Sequence, residues 1–273
     1  MKTIVGFLGA GSMAEAIISG MTAKAVIPAK QIFATNQSNR ERLEELQQRY
    51  GIQTTTSKQA LLTQSDVIIL AMKPKHIKES LAEIKDWLTE DHVVVSLLAG
   101  ISTAFIEQQL PLDNPVIRVM PNTSAMIGES ATTIAVGQHV TAEQTVLVEQ
   151  LMQSIGTTTR INEADMDAFT AIAGSGPAFY YYMVEAIEAF VKDKGLDPEV
   201  AKPLINQTIK GVSEMLAVST DSPAVLRKKI TSPGGTTEAG LNTLADHQFK
   251  QAVIACLDRT AERSKEMREM FED

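Results

Sequence analysis

The first fourteen residues limit what this chain can fold into. Thr3-Ile4-Val5-Gly6-Phe7-Leu8 is apolar enough for a strand covered on both faces, and Gly9-Ala10-Gly11 follows without a spacer. Ser12–Met21 then carries apolar residues at helical spacing. This is G-x-G-x-x-A in the setting it requires, strand, tight turn and helix. Gly9 permits the turn, Gly11 lets the backbone approach a pyrophosphate, and Ala14 lets the helix lie close to the sheet. The N–H groups at the helix start, with the positive end of its dipole, attract phosphate. The pattern predicts a parallel α/β sheet that binds a dinucleotide.

The sequence up to Asn162 continues the alternation. Strands are predicted at 31–34, 67–71, 93–98, 116–120, 131–136 and 158–161, and helices at 40–50, 75–87 and 141–155. Gly51 stops the helix that starts at Arg40. From Ala164 the texture changes to helices alone, at 166–173, 177–194, 198–218, 223–230, 236–244 and 249–271. Pro198 and Pro223 suit helix starts, where a missing N–H costs nothing. The expected architecture is an N-terminal Rossmann-like doubly wound α/β domain, residues 1–162, followed by an all-α domain, residues 163–273.

A chain of 273 residues has room for two such domains. Its net charge of −8, without long like-charge blocks, argues against nucleic acid and anionic membrane as partners. Cys256 is the only cysteine, so neither a disulfide nor a zinc cysteine cluster is expected, and its apolar neighbours predict a buried small residue. The N-terminus reads as a strand rather than a signal segment, and no apolar run reaches the ~20 residues of a membrane span. A cytoplasmic location is the expectation. His76, His92, His139 and His247 sit in polar surroundings without metal-ligand spacing, and read as surface residues.

Domains that bind NAD place Asp or Glu at the end of the second strand to hold the ribose 2′-hydroxyl. Here that place reads Thr35-Asn36-Gln37-Ser38-Asn39-Arg40, neutral donors and a base, which favours NADP. The same loop also caps the following helix, with Ser38 or Asn39 as N-cap. Lys73 and Pro74 leave the carboxyl end of a central strand, where ligands of open α/β sheets lie, although Lys73 reads equally as a surface lysine. Leu98-Ala99-Gly100 and Met120-Pro121-Asn122-Thr123 also follow strands and either border a nicotinamide or are plain turns.

A second unusual stretch is Thr231-Ser232-Pro233-Gly234-Gly235-Thr236-Thr237. Two glycines follow a proline and hydroxyls open a helix, which resembles an anion cradle of carboxylate size. An ordinary Pro-Gly turn with a threonine cap is the competing reading. The glycines of Gly174-Ser175-Gly176 suit close packing, and Tyr180, Tyr181 and Tyr182 suit a helix interface. The lysine and asparagine that β-hydroxyacid dehydrogenases use after such a glycine-rich helix start would fall on Tyr180 and Val184, neither a base near neutral pH. Hydride delivery to an already protonated C=N bond therefore fits better than alcohol oxidation.

The glycine loop Gly9–Ala14, Met72-Lys73-Pro74, Arg118–Thr123, Gly174–Ala178 and above all Thr231–Thr237 come in the order that resembles pyrroline-5-carboxylate reductases. The resemblance spans nearly the whole chain. It implies reduction of 1-pyrroline-5-carboxylate to proline by NADPH or NADH. It implies cofactor contacts at Leu8, Gly9, Ala10, Gly11, Ser12 and Met13, at Asn36, Ser38 and Ser57, at Ala71, Met72, Lys73 and Pro74, and at Leu97, Leu98 and Ala99, and the loop reading adds Asn122. It implies substrate contacts at Glu163, Gly234, Gly235, Thr236 and Thr237, with Ser232 supporting the turn. Lys229 stands where the family commonly has Asn. The resemblance further implies a homodimer or larger homo-oligomer through the C-terminal helices. Val253, Ile254, Leu257, Met267 and Met270 would supply such a face or belong to the chain's own core. In the mechanism expected, backbone N–H groups of Gly234, Gly235 and Thr236 bind the substrate carboxylate and the Thr237 hydroxyl bonds to the ring nitrogen. A reductase of another cyclic imine or keto acid, or a nicotinamide-binding sensor without activity, are the alternatives.

Overall fold

The computed structural model describes residues 3–272. Eight strands form one sheet: β1 (Val5–Leu8), β2 (Ile32–Thr35), β3 (Gln53–Thr55), β4 (Val67–Leu70), β5 (Val93–Ser96), β6 (Val116–Met120), β7 (Ser130–Val136) and β8 (Gly156–Arg160). Their spatial order is β3-β2-β1-β4-β5-β6-β7-β8. All neighbours are parallel except β6 and β7. Between the strands run α1 (Ser12–Ala23), α2 (Arg40–Tyr50), α3 (Lys58–Gln64), α4 (Ile77–Ile84), α5 (Thr103–Gln109) and α6 (Ala142–Met152). After β8 come α7 (Met166–Phe169), a π-helical turn (Thr170–Gly174), α8 (Gly176–Asp193), α9 (Pro198–Val218), α10 (Pro223–Lys229), α11 (Thr236–Asp246) and α12 (Phe249–Glu272). The sheet-then-helices reading therefore holds.

The central strands explain themselves. Every residue of β1, β4 and β5 is buried, because helices cover both faces of the sheet. One face packs Val5, Phe7, Val67, Ile69, Val93 and Val95 with α1 and α6, and the other packs Leu8, Ile68, Leu70 and Val94 with α4 and α5. Local signals set the helix ends. Asn39, not Ser38, caps α2 by accepting from the Arg42 N–H at 2.9 Å, and Gly51 ends that helix at φ 70°. Asp197 and Ser222 cap α9 and α10, each ahead of its proline.

Two expectations need correction, and one strand and two helices, α3 and α5, went unpredicted. Gln53–Thr55 is an edge strand that went unpredicted, because three half-buried polar residues carry no apolar signal. His92 is buried, not on the surface: its Nδ1 accepts from the Thr89 N–H at 2.8 Å, which leaves Nε2 to donate to the Leu62 carbonyl at 3.0 Å. Cys256 is half-buried, since the helix that carries it is exposed over most of its length.

Contacts divide the chain into two compact units, Met1–Pro177 with Asp258–Asp273, and Ala178–Leu257. The C-terminal part of α12 thus belongs with the sheet. There Glu272 accepts from the Ser102 N–H at 2.7 Å, the Ser264 hydroxyl donates to Asp167 at 2.7 Å, and Phe271 packs against the α4–α5 side of the core. In the second unit the helices leave large apolar side chains open, among them Tyr181, Phe190, Leu204, Met215 and Val253. Among the described residues no helix is long and apolar enough to cross a membrane.

Candidate functional site

In the sheet, the chain leaves β1 toward β2 on one side and returns to β4 on the other, so the strand order reverses between β1 and β4. Ligands of open α/β sheets bind beyond the carboxyl ends at such a reversal. Gly9 and Ala71 are the residues that emerge there. Gly9 has φ +120°, and a side chain on it would meet the Ala71 carbonyl at 2.5 Å. Only glycine fits this junction. Gly11, by contrast, faces open space and is the N-cap of α1, with no side chain capping the helix. The first N–H groups of α1 lack intrahelical acceptors.

A cavity of about 370 Å³ opens beside this turn, lined by Leu8–Gly11, Thr35–Ser38, Lys58, Ala71–Lys73 and part of α4. The residues fit a dinucleotide: a cradle without side chains, an adjoining polar wall, and no acid at the end of β2. Leu8 and Leu98 are buried core side chains, so only their backbone can face a ligand. Ser12, Ser38 and Lys73 are exposed, and Met13, Asn36, Met72, Pro74, Leu97 and Ala99 are half-exposed. Asn36 shapes its own loop, its Oδ1 accepting from the N–H groups of Ser38 and Asn39, both at 3.1 Å. Ser57 caps α3 by accepting from the Ala60 N–H at 3.1 Å. The neighbouring Lys58 lines the cavity and forms an ion pair with Glu83. Sequence spacing gave no hint of Lys58, because it joins the cavity lining from a different helix.

The turn is braced from behind. Arg42 on α2 donates from Nε to the Ala10 carbonyl at 3.1 Å and from its terminal nitrogens to Glu15 and Glu45. Tyr50 and Arg49 also donate to Glu15, at 2.9 and 3.0 Å. The Arg42 hydrogen bond holds the Glu15 carboxyl below the usual carboxylate range against the opposing pull of burial. Asn122 is committed to structure. Its Oδ1 accepts from the Ser124 N–H and its Nδ2 donates to the Ala173 carbonyl, both at 3.0 Å.

Glu163 meets an unforeseen partner. Arg118, only 1% exposed in β6, donates from Nη1 to Glu163 Oε1 at 2.8 Å. Nε and Nη2 of Arg118 and Oε2 of Glu163 are enclosed without a partner among the described residues. An arginine inside an apolar strand pattern was the available signal, since a charge is buried only when paired.

The other candidate residues belong to the second unit. Ser232 accepts from the Gly235 N–H at 3.0 Å and closes the turn, and Gly234 adopts φ +70°. The Gly234 N–H donates to the Glu238 carboxylate at 2.8 Å. Two of the three N–H groups expected to hold a carboxylate are thus engaged, one by the turn and one by an internal carboxylate. Gly235 is the N-cap of α11 without a side-chain cap, so the N–H groups of Thr236 and Thr237 have no intrahelical acceptor. Both threonines are exposed. Lys229 pairs with Asp221.

Residues 163–267 match the family model for pyrroline-5-carboxylate reductase dimerisation, and residues 4–100 match that for NADP oxidoreductase, coenzyme F420-dependent. Pyrroline-5-carboxylate reductase 2 of Bacillus subtilis is 45% identical over 98% of this chain and 96% of its own length. Among solved structures, a pyrroline-5-carboxylate reductase from Coxiella burnetii superposes with a TM-score of 0.90 at 32% identity, covering 98% of this chain and 99% of its own. A Plasmodium falciparum pyrroline carboxylate reductase with NADP bound gives 0.88 at 31% identity, covering 97% and 98%.

Proposed function

The chain belongs to the pyrroline-5-carboxylate reductase family, and from that premise we propose how its residues reduce 1-pyrroline-5-carboxylate to proline, the closing step of proline synthesis, with NADPH or NADH. Residues 1–162 hold the cofactor: the Gly9–Met13 turn takes the pyrophosphate, Asn36 and Ser38 the adenosine ribose, and the exits of β4 and β5 the nicotinamide half. When bound, the reduced nicotinamide supplies a hydride. Residues 163–273 hold the substrate and the second copy of the chain.

The observation that carries the substrate half is the bend before α11. It already binds a carboxylate, that of Glu238, through a backbone N–H at 2.8 Å. An arriving substrate carboxylate uses the unengaged N–H groups of Thr236 and Thr237 and displaces Glu238 from Gly234. The protonated ring nitrogen then donates to the Thr237 hydroxyl oxygen, which fixes the plane of the imine. The protonated C=N bond is itself a strong electrophile, so no strong base is needed. Orientation and placed dipoles supply the acceleration. One hydride to carbon completes the amine, since the nitrogen already carries its proton.

The exposed apolar side chains of α8, α9 and α12 support a homodimer built on these helices, because a helix face of this extent is not left in water. The net charge of −8 opposes nucleic-acid backbones, and a single cysteine suits the reducing cytoplasm. A steady-state assay with 1-pyrroline-5-carboxylate, other cyclic imines and keto acids, each with NADPH and NADH, tests the reading. It stands if pyrroline carboxylate has the highest kcat/KM and falls if another substrate does.

A further inference from the structure

We propose that Lys58 and Glu83 set the preference of this site for a dinucleotide bearing a 2′-phosphate, with Lys58 binding the phosphate and Glu83 holding the lysine in its absence. The proposal rests on the nicotinamide-cofactor reading given above and extends it to two residues that the family resemblance does not name.

Both side chains line the same cavity as Asn36, Gln37 and Ser38, the residues at the end of β2 where this topology meets the adenosine ribose. The loop at the end of β2 has no carboxylate to bind a pair of ribose hydroxyls, so that loop does not select the unphosphorylated cofactor. Its neutral donors are also too few for a phosphate. Asn36 spends its oxygen on Ser38 and Asn39, leaving its amide N–H2, Gln37 and the Ser38 hydroxyl. A phosphate monoester carries a charge of about −1.5 to −2 at neutral pH and needs a cation close by. Arg40, the sequence's obvious cation, is exposed as the first residue of α2 and is not among the residues lining the cavity. Lys73 and His76 lie on the β4 side, and His76 is turned toward Glu79 at 4.0 Å. Lys58 remains, with its side chain 22% exposed and paired to Glu83, whose side chain is 39% exposed.

The pair makes a device for selection. A half-exposed ion pair is weak in water, so a dianion takes the lysine from Glu83 readily. The Glu83 charge stays in the wall and opposes the dianion, so the two residues act with opposite sign on the phosphorylated cofactor. NADP and NAD differ only in the 2′-phosphate, so the effect of both residues is confined to that group. Selectivity is a difference of affinities, and here it is the balance of these two charges.

Equilibrium titration of the full-length protein with NADP+ and with NAD+, followed by calorimetry, tests the proposal without turnover. Lys58→Met is expected to weaken NADP+ by about tenfold or more, the value of one charge-assisted hydrogen bond, with NAD+ unchanged. Glu83→Gln is expected to tighten NADP+ severalfold, again with NAD+ unchanged. An unaltered melting temperature shows that each variant is folded. Equal weakening of both nucleotides by Lys58→Met, no weakening of either, or a looser NADP+ complex in Glu83→Gln would overturn the proposal while leaving the reductase reading intact. A wild-type protein that binds neither nucleotide would overturn the cofactor reading and this proposal with it.

Discussion

Arg118 and Glu163 lie 45 positions apart and meet as an ion pair of 2.8 Å, with the arginine almost wholly enclosed. Removing one partner leaves the other charge in a medium that solvates it poorly, a loss of about 3–5 kcal/mol. Glu163→Ala should therefore lower the melting temperature by roughly 6 °C or more. Replacing both residues, Arg118→Met with Glu163→Leu, should return much of the loss, because no unpaired charge then remains. Thermal unfolding of the two variants checks this. If Glu163→Ala melts like the wild type, the carboxylate is there for substrate alone.

Gly9 and Gly11 should respond differently to the same substitution. Gly9→Ala forces a side chain into the Ala71 carbonyl at a left-handed φ, so both stability and nucleotide binding should fall. Gly11→Ala meets nothing in the protein. Its added methyl occupies space that a pyrophosphate needs, so the melting temperature should stay and NADPH affinity should fall about tenfold or more. Calorimetric titration beside thermal unfolding separates the two.

The brace behind the glycine turn depends on pH. Glu15 titrates below its ordinary value of 4.5, chiefly because Arg42 hydrogen-bonds its charged form. The folded chain holds that proton less tightly than the unfolded chain. The brace's contribution is thus complete above the ordinary value and is lost as pH falls through the lowered one. Glu15→Gln should flatten the acid limb of stability against pH, as read by denaturant unfolding between pH 3 and pH 6. Arg42→Gln should weaken NADPH and NADH alike, severalfold, since it frees the Ala10 carbonyl rather than any group on the adenosine.

Glu238 accepts from the Gly234 N–H, and in the proposed function substrate displaces it. Glu238→Gln keeps the side chain's length and removes its charge, so KM for 1-pyrroline-5-carboxylate should fall severalfold with kcat nearly unchanged. A raised KM would mean that the carboxylate organises the bend instead of occupying it.

The sheet was legible because β1, β4 and β5 are apolar on both faces, and the helix ends because Gly51, Pro198 and Pro223 stand where backbone rules want them. The Gln53–Thr55 edge was not, since its strand character comes from pairing with β2 and not from its side chains. The last helix shows why a face cannot be assigned from periodicity alone. Val253 and Ile254 are exposed in the second unit, while Met267 is half-buried and Phe271 packs in the first. The same limit hid Lys58, His92 and the partner of Glu163, each of which owes its role to a neighbour 25 or more positions away. The glycine turn and the Ser232–Thr237 bend were readable as turns at helix starts because glycine and proline spell backbone directly.

The central claim is that the bend before α11 orients the imine for the hydride, and Thr237→Ala tests it most directly. Steady-state reduction of 1-pyrroline-5-carboxylate by NADPH should lose about 2–4 kcal/mol of transition-state stabilisation, a fall in kcat of roughly thirtyfold to a thousandfold. NADPH affinity, measured by titration on the same protein, should stay within about twofold of the wild type. Unchanged kcat in that variant, or an equal loss of NADPH affinity, would contradict the account.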